Sequence, residues 1–170
     1  MVDILWGDEM KQKKTNAMRI LDSQAIAYSV NTYDISTQHM DGGHVAQKVG
    51  VDPDHVYKTL VLENVAHEHF VFIIPVNKTL DMKTAAQSVT EKKLNLMPLD
   101  HLKKVTGYIR GGCSPIGMKR QFPTVIDQNA QALDSIYISG GDRGVQINIR
   151  VKDLIAVTQA QVMHIIQETK

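Results

Sequence analysis

Residues 69–76 read HFVFIIPV, and no other stretch of the chain limits the fold as strongly. A strand with one wet face alternates apolar and polar residues, whereas a nearly continuous apolar run marks a strand covered on both faces. The rest of the chain must therefore supply structure for both sides of this strand. Just before it, residues 58–63 (KTLVLE) alternate, and the two segments are expected to pair as neighbours in one sheet.

The remaining elements are shorter. Thr15 can cap a helix whose face is Ala17, Met18, Leu21 and Ala25, and a strand is expected over 28–33. A short helix near residues 44–49 is stopped by Gly50 and Pro53. Past the central run, Thr79 or Asp81 starts a helix through Ala85 and Val89, and Asp100, after Pro98, caps another through Leu102 and Val105. Segments rich in β-branched or aromatic residues follow at 108–110, 124–127, 135–139 and 145–151, with SGGDRG between the last two as the clearest hairpin. In the last strand Val145, Ile147, Ile149 and Val151 share one face and Gln146, Asn148 and Arg150 the other, so one side faces the core. A closing helix runs through Leu154 and Val157. Helices and strands do not alternate regularly, which predicts an α+β fold: a compact single domain with a curved, mixed, largely antiparallel β-sheet flanked by helices. Residues 1–14 are polar and aperiodic and are read as a peripheral N-terminal arm, with 15–170 as the domain.

Composition narrows the function classes. A chain of 170 residues suits one core, and no apolar run approaches the roughly 18 residues a membrane span needs. No charged-then-apolar leader opens the chain, and its one cysteine excludes an internal disulfide framework, so a cytoplasmic setting is expected. Net charge is +1, from 19 Lys and Arg against 18 Asp and Glu, too little to hold a long nucleic acid through a global field. The distribution is less even than the total: residues 101–126 contain no acid but include Lys103, Lys104, Arg110, Lys119 and Arg120.

That basic stretch contains GYIRGGCSPIGMKR, residues 107–120. It nearly spells a phosphate-binding loop, but Met118 stands where the lysine belongs and Lys119 comes one place late. The following FPTVID looks like a strand, whereas such a loop must open a helix. Cys113 as a nucleophile would need a lowered pKa and a nearby base; a small buried cysteine is the commoner role. Ser114 lacks a nucleophile elbow, and HEH at 67–69 lacks a third ligand at a recognisable spacing, so neither a protein nucleophile nor a metal is expected. Lys58 has the parity of Leu60 and Leu62, which places a cation on the apolar side of a strand end. Snorkelling to water is its ordinary explanation.

Three blocks together, VYKTLVLE, GYIRGGCSPIGMKR and YISGGDRGVQI, in this order and at these separations, resemble the YbaK-type Cys-tRNA(Pro) deacylases, relatives of the editing domain inserted in bacterial prolyl-tRNA synthetases. The resemblance covers roughly residue 15 to the C-terminus and implies the same compact α+β fold. It places the family's essential lysine on Lys58 with Thr59 beside it, its pocket tyrosine on Tyr33, its glycine loop on Gly111 and Gly112, and its hairpin serine on Ser139. The implied activity is hydrolysis of cysteine wrongly esterified to tRNA(Pro), with no cofactor. The substrate's own thiol attacks its ester, Gly111 and Gly112 offer backbone N–H groups, and Lys58 orients the 3′ end or neutralises charge. The tRNA(Pro) acceptor end and a docked prolyl-tRNA synthetase are the implied partners. Two other readings remain open at this point: an Ala-tRNA(Pro) deacylase that uses water, and a non-catalytic RNA- or nucleotide-binding module.

Overall fold

The computed structural model describes residues 14–34, 46, 47 and 49–168. The expected N-terminal arm, apart from Lys14, and residues 44, 45 and 48 of the expected helix at 44–49 lie outside the described residues, while 46, 47 and 49 are helical as expected. The elements in chain order are α1 (Asn16–Ser23), β1 (Tyr28–Thr32), β2 (Tyr57–Glu63), β3 (His69–Pro75), α2 (Met82–Ser88), β4 (Asn95–Leu96), α3 (Leu102–Thr106), β5 (Thr124–Asp127), β6 (Ser135–Asp142), β7 (Val145–Arg150), α4 (Val151–Thr158) and β8 (Gln161–Met163), with short 3-10 turns before β2, α3 and β6.

Two sheets form where one curved sheet was expected. The first has the order β1-β7-β6, the second β4-β2-β3-β5-β8. β1, β7 and β6 pair antiparallel, as do β4, β2 and β3, whereas β3-β5 and β5-β8 are parallel. The expected mixed, largely antiparallel character is therefore present. Among the described residues one isolated parallel bridge, Val56 to Tyr137, links the backbones of the two sheets, so pairing does not run on into one continuous sheet.

HFVFIIPV is the centre of the larger sheet, covered on both sides as its composition demands. Phe70, Phe72 and Ile74 point into a cluster closed by Leu80, Ala85, Ala86, Leu94 and Ile165. Ile73 points the other way, into the main core between the sheets, where it meets Ile126, Ile136, Ile138, Ile147 and Ile149 beneath α1 and α4. Each such wholly buried side chain contributes about 1.5–3 kcal/mol relative to exposure. β2 pairs with β3 over its whole length, with Lys58 opposite Ile74 and Leu62 opposite Phe70.

Thr15 caps α1 as expected, its Oγ1 accepting the Met18 N–H at 3.2 Å, and Ala17, Met18 and Leu21 form the buried face. Ala25 falls past the helix end in a left-handed conformation and is exposed. Asp81, of the two candidates, caps α2 by accepting the Thr84 N–H at 3.0 Å. Asp100 is not a helix cap: it lies inside a 3-10 turn, and no side chain caps α3. Residues 108–110 are not a strand. Thr106 Oγ1 takes the Tyr108 N–H at 3.0 Å and the Tyr108 hydroxyl donates to the Ile116 carbonyl at 2.6 Å, which ties the segment to its own loop instead of to a sheet edge. Val151, assigned to the last strand by its parity, opens α4 instead. Asp127 is fully buried at the end of β5, where its carboxylate accepts the N–H groups of Asn129 and Ile165, both at 3.0 Å, and so anchors the C-terminal segment.

Candidate functional site

The β6–β7 hairpin organises the chemistry-bearing residues. A register shift between Ser139 and Asp142 bends its tip, and Gly141 donates its N–H to Ser139 Oγ at 3.2 Å. Ile136 and Ile138 face the core, so Tyr137 and Ser139 project from the opposite face of the three-stranded sheet. Across the strands Ser139 lies opposite Gln146, and Gln146 opposite Asn31, which makes one polar rung on that face. Tyr33 continues β1 on the same parity as Asn31, and its N–H reaches the Gly144 carbonyl at 3.0 Å.

Lys58 joins this face through the bridge between the sheets. Parallel partners point to the same side, and Lys58 and Ser139 each lie two residues beyond the bridged pair, Val56 and Tyr137. The other parity agrees, since Tyr57 packs with Ile136 and Ile138 in the main core. Lys58 is half-buried beside the apolar face of β2, and burial lowers its pKa below the ordinary lysine value. No hydrogen bond or ion pair holds its ammonium group among the described residues. Thr59 takes the opposite parity, with Tyr57, so its side chain does not share the face of Lys58 and Ser139.

Gly112 serves a packing need that the sequence did not reveal. Gly112 donates its N–H to the Ile109 carbonyl at 2.9 Å, closing a turn in which Gly111 has φ +84°. A Cβ on Gly112 would sit 2.8 Å from the Asp142 carbonyl carbon and 2.9 Å from Arg143 N, so what approaches this backbone is the tip of the hairpin. The Gly112 N–H is thus engaged within its own turn. Gly111 is exposed, and its N–H carries no hydrogen bond among the described residues.

Cys113 lies against Val61, Val71, Met97 and Leu102. Burial pushes its thiol up to about 12, with the Thr106 side chain pulling weakly the other way, so the sulfur stays protonated near neutral pH. Among the described residues no group of three His, Cys, Asp or Glu side chains could hold a metal ion. His69 instead pairs with Glu63 at 3.4 Å and meets the Phe122 ring edge-on.

Gln146 is the residue whose position the pattern did not disclose. Its parity placed it on the face away from the core, yet it is only 6% exposed and its Oε1 has no partner among the described residues. A buried amide oxygen left unpaired costs about 1–3 kcal/mol, a cost that a functional surface is more apt to carry than a core. Nothing in the local sequence separates it from Asn148, whose Nδ2 reaches the Ile136 carbonyl at 3.4 Å.

Comparison with known proteins adds three findings. The family described as the aminoacyl-tRNA editing domain matches residues 40–157. A protein of Enterococcus faecalis named as a candidate Cys-tRNA(Pro)/Cys-tRNA(Cys) deacylase, EbsC, is 39% identical over 150 residues, 88% of this chain and 92% of that one. A solved structure described as a candidate trans-editing enzyme for prolyl-tRNA synthetase superposes with a TM-score of 0.80 at 22% identity, over 92% of this chain and all of that one. Hypothetical protein APE2540 superposes with a TM-score of 0.81 at 19% identity. These two structural likenesses speak to the fold.

Proposed function

The chain belongs to the aminoacyl-tRNA editing family, and from that premise we propose that it is an aminoacyl-tRNA deacylase that releases cysteine from Cys-tRNA(Pro), with residues 15–170 acting as one editing domain. The observation that carries the reading is the half-buried Lys58 ammonium, which makes no ion pair among the described residues and shares the Ser139 face where the two sheets meet. A cation so placed favours negative charge in a substrate. The Enterococcus faecalis relative, named for this substrate, supports the same assignment.

The mechanism uses the substrate's thiol. A free thiol ionises near pH 8.5 and water near 15.7, so a few per cent of the thiol is already thiolate near neutral pH. The sulfur attacks its own ester carbonyl, a C–S bond forms, the C–O bond to the ribose breaks, and the thiol proton ends on the departing 3′ oxygen. Water then opens the cyclic thioester to free cysteine. Lys58 stabilises the developing oxyanion or a 3′-end phosphate. Tyr33, Ser139 and the exposed Gly111 N–H hold the terminal aminoacyl-adenosine, Thr59 and Gly112 support the lysine and the hairpin, and Cys113 takes no part. A prolyl-tRNA synthetase docked on the same tRNA supplies the tRNA selection that a net charge of +1 does not.

Single-turnover deacylation of tRNA(Pro) charged with Cys, S-methyl-Cys, Ser, Ala and Pro tests this. Cysteine is expected to be released far faster than S-methylcysteine or serine at saturating enzyme, where a loss in rate is separated from a loss in binding. Comparable rates for these three would mean that water attacks directly and would favour alanine editing. Release of no amino acid would leave a binding module.

A further inference from the structure

On the opposite side of the hairpin tip lies a cleft of about 450 Å³ between the start of α1, the 106–119 segment and the hairpin itself. Lys14, Arg19 and Lys119 reach it, along with Thr15, Asn16 and Asp142. Its walls are cross-braced: Thr15 donates its hydroxyl to the Gly140 carbonyl at 2.5 Å, Asn16 Nδ2 reaches the Gly117 carbonyl at 3.1 Å, and Lys119 N–H reaches the Thr106 carbonyl at 3.0 Å. The cleft is therefore built by three separate parts of the chain and is not a gap beside one helix.

Its charge is unbalanced. Lys14 pairs with Asp22, but among the described residues neither Arg19 nor Lys119 makes an ion pair, and both are exposed. Asp142 is the one acid on the lining, and its Oδ1 is engaged by the Arg143 N–H at 2.8 Å. In a chain of net charge +1, two unpaired cations facing one cleft are a local concentration of positive charge. Guanidinium beside ammonium suits phosphate, the first through paired N–H groups and the second as a point charge.

The location relates this charge to the candidate site. Gly141 lines the cleft and also donates its N–H to Ser139 Oγ, and residues 106–108 on the cleft wall run directly into the Gly111–Gly112 turn. We propose that the cleft binds phosphodiester groups of the single-stranded RNA end whose terminal nucleotide occupies the Ser139 face, a proposal that rests on the reading of that face as an aminoacyl-tRNA site. Phosphate contacts here fix register and affinity and read no sequence.

The test uses the full chain, the double variant Arg19→Ala/Lys119→Ala, and a charge-keeping pair, Arg19→Lys/Lys119→Arg. Binding is titrated with an uncharged RNA hairpin ending in a single-stranded CCA, and with the same RNA carrying neutral methylphosphonate linkages in that single strand. The parent should bind the phosphodiester form more tightly, and the Ala variant should raise its Kd about tenfold and flatten the log Kd against log salt slope by about 1.4, two single-strand phosphates at about 0.7 each. The charge-keeping pair should restore both. A folded Ala variant with the parent's Kd and salt slope overturns the proposal, as does a parent indifferent to methylphosphonate. Because binding is read without turnover, a protein that binds as expected yet hydrolyses no aminoacyl-tRNA retains the cleft and loses the catalytic reading; the reverse result removes the cleft alone.

Discussion

Gly112→Ala separates two explanations of the paired glycines. If the glycines leave room for a ligand, alanine should weaken catalysis and leave stability untouched. The structure gives a different expectation, because a Cβ there would lie 2.8 Å from the Asp142 carbonyl carbon, 2.9 Å from Arg143 N and 2.9 Å from Asp142 Cα. All three are backbone atoms of the hairpin tip, so no flexible side chain can yield. Restoring an ordinary contact means moving the tip by about half an ångström, and overpacking of this kind costs about 1–3 kcal/mol. Gly112 is not in the left-handed region, so alanine adds no backbone strain of its own. For a domain of this size about 2 kcal/mol lowers Tm by about 4–8 °C. Gly50→Ala is the matched control: a Cβ there meets nothing within 4 Å, but φ is +82°, so only the left-handed conformation is penalised, by about 1 kcal/mol. Scanning calorimetry of the three proteins, with single-turnover deacylation alongside, should show Gly112→Ala lower in both Tm and rate, since Ser139 moves with the tip. A Gly112→Ala protein with the parent's Tm would refute the packing argument and return the glycines to the ligand.

Two further expectations follow from the site. Lys58→Met should fold and lose at least tenfold in deacylation, about 1.4 kcal/mol of transition-state stabilisation, and unchanged turnover would reduce Lys58 to a snorkelling residue. Because burial lowers the Lys58 pKa, the unfolded chain holds the extra proton between the folded and unfolded values, so parent stability rises with pH there. Urea midpoints should accordingly favour the Met variant most near neutral pH, with its advantage shrinking as pH rises through that window. Cys113→Ala should keep most of the activity, and the native thiol should resist iodoacetamide at pH 8 and react only on unfolding, since burial holds it protonated. A folded Cys113→Ala protein without activity would sink the substrate-thiol mechanism.

What could be read in advance divides along the range of the interactions. HFVFIIPV and KTLVLE gave away a central strand and its partner because burial on both faces is written into the composition of one short segment. The Thr15 cap was equally local. Residues 108–110 had the composition of a strand, but Thr106 two residues back and Ile116 eight residues on captured their polar groups. The junction of the two sheets runs through a bridge between Val56 and Tyr137, far apart in sequence, and no propensity encodes that. The site shows the same division. Lys58 could be recognised from parity against Leu60 and Leu62, whereas the buried amide of Gln146 is set by its place across from Ser139 and Asn31 and has no local sign.

Glycine is where the local and the distant readings part. Two adjacent glycines in a basic stretch look like a cradle for a ligand, and the physical premise, that missing side chains let something come close, is sound. The chain itself is what comes close: Gly112 receives the backbone of Asp142 and Arg143, and Gly141 in turn lies where a Cβ would be 2.9 Å from the Thr15 Cβ. The hairpin tip is thereby gripped from two sides, by the 109–112 turn and by the start of α1. That grip fixes Ser139 on one side of the tip relative to Arg19 and Lys119 on the other. An RNA end that uses both would then need little rearrangement of the protein to bind, and preorganisation of this kind is what the proposed mechanism requires, in which the protein contributes charge and position and the substrate its own thiol.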